Sequence, residues 1–152
     1  MMNWDELSQR IYYRDGSLRD IYIHNTTIED WKTWINYVNE NYTVQFFDRS
    51  NNNKVEKIEI EKIVQYWNKE NEDGVFASID VDGIKIMCYF TIENEIETDF
   101  TPGDIKNIGD HNNLVAYLKD CSRTLQKTMV VTAEMQEEKV LIKVTNNTVD
   151  FF

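Results

Sequence analysis

The run Val75-Phe-Ala-Ser-Ile-Asp-Val-Asp-Gly-Ile-Lys-Ile-Met-Cys-Tyr-Phe90 decides the fold. Two stretches of alternating apolar and polar residues flank Asp82-Gly83, a dipeptide that accepts the positive φ angles of a two-residue hairpin turn. With that turn fixed, Val81 faces Ile84, Ile79 faces Ile86, Ala77 faces Cys88 and Val75 faces Phe90, so all of them line one side of the sheet. On the other side Asp80 meets Lys85 and Phe76 meets Tyr89, a charge pair and an aromatic pair worth about 0.2–1 kcal/mol each. A one-residue slip would turn that aliphatic set to water, so the pattern admits a single register.

Downstream, Ile96 to Phe100 reads as a third strand. A two-residue turn at Glu93-Asn94 would set Glu97 on the apolar face beside Phe90. A three-residue turn through Glu95 instead pairs Ile92 with Ile96 and Phe90 with Thr98, and avoids burying a carboxylate. Thr101-Pro102-Gly103 ends the strand. Leu114, Leu118, Cys121 and Leu125, with Val115 on the shoulder, then form an amphipathic helix. Strands follow at Met129 to Ala133 and Val140 to Thr145. The Asn146-Asn147 turn sets Val144 opposite Val149, Ile142 opposite Phe151 and Lys143 opposite Asp150, and Phe151 and Phe152 are expected to tuck into the sheet.

Upstream, Leu18 to His24 alternates as a strand, with Ile21 and Ile23 on one face. Thr26 or Thr27, followed three residues on by Glu29 or Asp30, caps a helix reaching Asn41, whose stripe is Ile28, Trp31, Ile35 and Val38. Trp34 and Tyr37 lie beside that stripe and are expected to be partly exposed. Tyr42 to Phe47 gives another strand, Ser50 to Asn53 a turn, and Ile60, Ile63, Val64 and Trp67 a short helix. The expected architecture is α+β, an antiparallel sheet around a central three-strand meander with two main helices and one short helix packed on it, in a single domain over 1–152.

Charge narrows the function. Sixteen Lys and Arg against 27 Asp and Glu leave −11, which excludes general affinity for nucleic acid backbones and for anionic membranes. The 41% hydrophobic content, with 12% aromatic, supports a packed core rather than an acidic tail. The chain has no basic-then-apolar start and no stretch of about 18 apolar residues, so a cytoplasmic location is expected. An exposed edge strand leaves a homodimer open.

Catalytic groups are scarce. His24 and His111 are the two histidines; one ends a strand and the other lies in the polar lead-in to a helix, and neither has zinc-ligand spacing. Cys88 and Cys121 fall on apolar faces, where a thiol is inert. No glycine-rich phosphate loop occurs, and the Asp80-Val81-Asp82-Gly83 stretch lacks the spacing of a calcium loop. The reading assigns no catalytic residue, no metal and no cofactor. The outer side of the meander does present Phe76, Met87 and Tyr89 among Asp80, Glu97 and Asp99, aromatic anchors within negative charge that suit a basic protein partner. A helix laid over that side would make it a second core layer instead.

The segment Tyr13-Arg14-Asp15-Gly16-Ser17-Leu18-Arg19-Asp20-Ile21-Tyr22-Ile23, the capped Trp-containing helix, the next strand and the hairpin at Ser78 to Ile84 together resemble small acidic bacterial immunity proteins of polymorphic toxin systems. The resemblance implies a non-enzymatic protein that binds and neutralises a cognate toxin, often a basic nuclease, through an acidic surface. Two alternatives stand beside it. One is a small-molecule-binding or enzymatic domain with a pocket between helix and sheet near His24 or Tyr22; the other is a phage or mobile-element factor that mimics nucleic acid.

Overall fold

The computed structural model describes residues 2–152. Nine strands form one sheet in the order β3-β2-β4-β5-β6-β1-β7-β8-β9, with every neighbouring pair antiparallel. In chain order these are β1 (Arg19–His24), β2 (Thr43–Asp48), β3 (Asn53–Val55), β4 (Val75–Val81), β5 (Ile84–Cys88), β6 (Glu95–Phe100), β7 (Met129–Ala133), β8 (Gln136–Thr145) and β9 (Thr148–Phe151). Four α-helices accompany them among the described residues: α1 (Trp4–Arg10), α2 (Ile28–Asn41), α3 (Ile60–Trp67) and α4 (Ile108–Leu125). The three-strand meander is thus the middle of a larger sheet, and the helices outnumber the expected three by α1. No helix among the described residues is long and apolar enough to cross a membrane.

The β4–β5 hairpin forms as its residues dictate. Asp82 and Gly83 take φ of 51° and 92°, and Val81↔Ile84, Ile79↔Ile86 and Ala77↔Cys88 pair as read. All of these, with Val75 and Phe90, are buried in one core with α1, α2, α3 and α4. The capping box on α2 is also realised: Thr27 Oγ1 accepts from the Asp30 N–H, and Asp30 accepts from the Thr27 N–H at 2.9 Å.

The β5–β6 connection differs. The paired positions are Met87↔Asp99 and Cys88↔Thr98, while an isolated bridge joins Ile92 to Glu95 across a two-residue turn. Three residues, 89–91, therefore oppose two, 96–97, and the extra residue makes a β-bulge with Phe90 at φ 52°. The bulge, and not a longer turn, keeps Glu97 off the apolar face. The physical demand was the same, and the backbone met it by a different route.

Three more expectations are corrected. Trp34 is buried, because α4 packs along α2 and covers the flank beyond the main stripe; its ring meets Trp31 edge-on at 5.8 Å. Tyr37 is half-buried as expected. His111 lies not in a polar lead-in but inside α4, buried, with Nδ1 2.6 Å from the Tyr12 hydroxyl and its ring 5.4 Å from Phe151, so it ties α4 to the chain just after α1 and to β9. Phe151 is half-buried there, but Phe152 is 51% exposed, so only the first of the pair tucks in.

Candidate functional site

Cross-strand register lays the outer side chains out in rows. The first row runs Lys54, Phe47 and Phe76 on β3, β2 and β4, then Tyr89 just past β5, then Glu97, Tyr22 and Val130 on β6, β1 and β7. The second runs Gln45, Ser78, Met87, Asp99, Asp20 and Thr132 across β2, β4, β5, β6, β1 and β7. Since all four helices pack into the core on the opposite side, no helix among the described residues makes a second layer over Phe76, Met87, Tyr89, Glu97 and Asp99. Those five of the expected residues come together.

Asp80 does not join them. It lies in a third row with Thr43 and Lys85, at the hairpin tip, and its carboxylate accepts the Gly83 N–H at 2.7 Å. A carboxylate that closes its own turn is a structural group; opposite-charge register with Lys85 is an addition to that role.

The aromatic part is a ladder. Phe47 and Phe76 stack with centroids 4.5 Å apart and planes 9° from parallel, and Tyr89 continues the stack at 6.1 Å and 27°. The Arg49 guanidinium lies 4.6 Å from the Phe76 centroid. Tyr89 is the open end of the ladder, 46% exposed.

The acidic part is strained electrostatically. Asp99 stands directly opposite Asp20 across the β6–β1 pair, an arrangement of like charges that costs energy. Asp20 is buried because the turn between β7 and β8 folds over it: Met135 donates its N–H to Asp20 Oδ2 at 2.8 Å, and the Tyr22 hydroxyl donates to the same oxygen at 3.3 Å. Burial, followed by the charges of Asp20, Glu97 and Glu134, pushes the Asp99 carboxyl up to about 6. Burial first, then Asp20, Glu95 and Glu137, also raises Glu97. At neutral pH this patch therefore carries negative charge that its surroundings oppose, and an arriving cation relieves it. Among the described residues no group of three or more His, Cys, Asp or Glu is disposed to hold a metal ion.

His24 and Tyr22 point to this same outer face. Their rings stack at 5.4 Å and 9°, and His24 Nδ1 lies 3.1 Å from Glu95 Oε1. The helices are on the other side, so the pocket between helix and sheet expected near His24 or Tyr22 has no place to form. Concavities open elsewhere, one of about 570 Å³ beside Tyr66, Trp67 and Ile92 and one of about 430 Å³ between α4 and β9. Cys88 and Cys121 are buried, and burial pushes both thiols up, Cys121 to about 12, which keeps them unreactive.

The segment that carries the family resemblance proves structural. The buried Arg19 guanidinium donates to the carbonyls of Ile11, Leu18 and Tyr13 and to Ser17 Oγ, and packs 4.0 Å from the Tyr13 ring. It shapes the loop between α1 and β1.

The sequence reading missed Phe47, Arg49, Asp20 and Tyr22 as parts of this face. Phe46-Phe47 did carry a signal, since adjacent aromatics on a strand must face opposite ways, but the β2–β4 pairing that places Phe47 beside Phe76 spans β3, α3 and the three segments that connect them. Comparison with protein-family models, with curated proteins and with solved structures finds no match to this chain.

Proposed function

We propose that this is a non-enzymatic binding protein of the immunity type, which uses the outer face of its sheet to dock on and block a basic toxin domain. One observation carries the reading: an exposed aromatic end, Tyr89 with Met87 beside it, adjoins uncompensated carboxylates at Glu97 and Asp99 on a rigid sheet whose other side is wholly committed to the core. Buried aromatics supply interface energy, and complementary charge supplies association rate and selectivity. The net charge of −11 favours a basic partner over an acidic one at every approach distance within the ionic screening length.

The test is to titrate the protein with the product of the neighbouring gene and to repeat the titration with the Glu97→Lys/Asp99→Lys double variant. Binding is expected to weaken with added salt, and the double variant is expected to lose about 100-fold or more in affinity. Affinity unchanged by both would reject the reading.

A further inference from the structure

We infer that the Tyr89 end of the outer face receives an arginine side chain of the basic partner, its guanidinium lying on the Tyr89 ring and forking toward Glu97 and Asp99. This rests on the binding reading above and deepens it from general basicity to one residue type.

The chain itself shows how the ladder takes a guanidinium. Arg49 already lies 4.6 Å from the centroid of Phe76, the middle ring. Tyr89 is the next ring, stacked on Phe76, and is the most open of the three at 46% exposed. Phe47 and Phe76 are only half-buried, so the ladder as a whole is a surface feature, not a core layer that happens to reach the edge.

What lies beyond Tyr89 differs from what lies beyond Phe47. At the Phe47 end the row finishes on Lys54, a cation that repels another. At the Tyr89 end it passes to β6, where Glu97 and Asp99 project on the same face, with Met87 paired to Asp99. Adjacent strands are about 4.8 Å apart, so a flat cation seated on the Tyr89 ring has carboxylates within reach at its rim. The asymmetry selects one end of the ladder.

Arginine fits this arrangement better than lysine for two physical reasons. A guanidinium is planar and weakly hydrated, so it stacks on a ring at little desolvation cost, and its N–H groups leave in the plane of the stack, where the carboxylates are. An ammonium is compact and strongly hydrated, and gains from the carboxylates alone. A patch with acids but no ring would not separate the two.

The probes are octa-arginine and octa-lysine peptides of equal charge, titrated at about 150 mM salt, the ionic strength at which long-range attraction is largely screened. Octa-arginine is expected to bind about three- to fivefold more tightly, with resonance shifts concentrated at Tyr89, Met87 and Asp99. Tyr89→Ala should erase the preference while leaving the weaker charge-driven binding; Tyr89→Phe should retain it. Equal affinities for the two peptides, or a preference that survives Tyr89→Ala, overturns the inference. The two proposals fail separately: partner binding that is lost on Glu97→Lys/Asp99→Lys but shows no arginine preference leaves the docking face and removes the arginine seat.

Discussion

The two faces of β4 and β5 share a backbone and obey different rules. On the inner side Ala77, Ile79, Val81, Ile84, Ile86 and Cys88 are all apolar and all buried. On the outer side the alternating positions are Phe76, Ser78, Asp80, Lys85 and Met87, none of them buried. The inner set meets one physical demand, exclusion from water, and any residue of the right size and polarity would meet it. The outer set is not bound by that demand: apart from Asp80, which accepts the Gly83 N–H of its own turn, its side chains are not required to leave water.

Substitutions on the two faces should separate sharply. Ile79→Ala removes buried methyl groups and is expected to cost about 2–5 kcal/mol in urea unfolding, whereas Ser78→Ala, one residue along, should cost within about 0.5 kcal/mol. Similar losses at both positions would dissolve the distinction.

Among the polar residues that register places on the inner face, Arg19, Asp48 and Thr98, the first offers the next largest effect. Arg19 belongs to that face by register, opposite Phe100 and Ala133, yet is buried. Arg19→Met keeps the bulk and strips three carbonyls of a charged donor, so a loss of about 2–4 kcal/mol is expected in the same measurement. A smaller loss would mean that water replaces the guanidinium.

The outer face should reveal itself by pH. The folded Asp99 carboxyl sits at about 6 against an ordinary 3.8, so the fold prefers its protonated form. That preference stabilises fully below 3.8 and is lost as pH rises through 6. Asn mimics the protonated acid, and because the group is half-exposed, solvent screening reduces the gain. Asp99→Asn is therefore expected to raise Tm by ~2 °C at pH 7.5 and to leave it unchanged at pH 3.5. An equal rise at both values would refute the electrostatic origin.

Legibility followed locality. The hairpin is readable from Ala77 to Cys88 because its turn chemistry and its alternation are independent signals that agree; the expected pairs Val75 with Phe90 and Phe76 with Tyr89 lie beyond the ladder, where the bulge begins. Asn146-Asn147 worked in the same way, and Val144↔Val149, Lys143↔Asp150 and Ile142↔Phe151 all pair. The bulge at Phe90 is hidden because a phenylalanine, unlike Asp or Asn, gives no sign in sequence that it takes a positive φ. The helix at Trp4–Arg10 was overlooked since it buries Leu7 alone, although Asn3, which caps it by accepting the Glu6 N–H at 2.9 Å, was a usable sign. The short β3 has too few residues to alternate. For the candidate face, parity along each strand told which side chains share a side, and this was enough for Phe76, Met87, Tyr89, Glu97 and Asp99. What parity cannot tell is which strands are neighbours. Asp20 and Tyr22 join the acidic patch only because β1 inserts between β6 and β7, a long-range event with no local trace.

That insertion has a kinetic side. The strand Arg19–His24 precedes both of its partners in the chain, one beginning at Glu95 and the other at Met129. The contact of Asp20 with Met135 closes a separation of 115 residues. Loop-closure entropy must be overcome before such pairing gives any return, and contacts of this range slow folding. Until those partners emerge, β1, with Leu18 before it and Ile21 and Ile23 within it, has no strand on either edge. Completion of the sheet around β1 waits for β7 at Met129, and a translation product that stops short of Glu95 would expose both edges of β1.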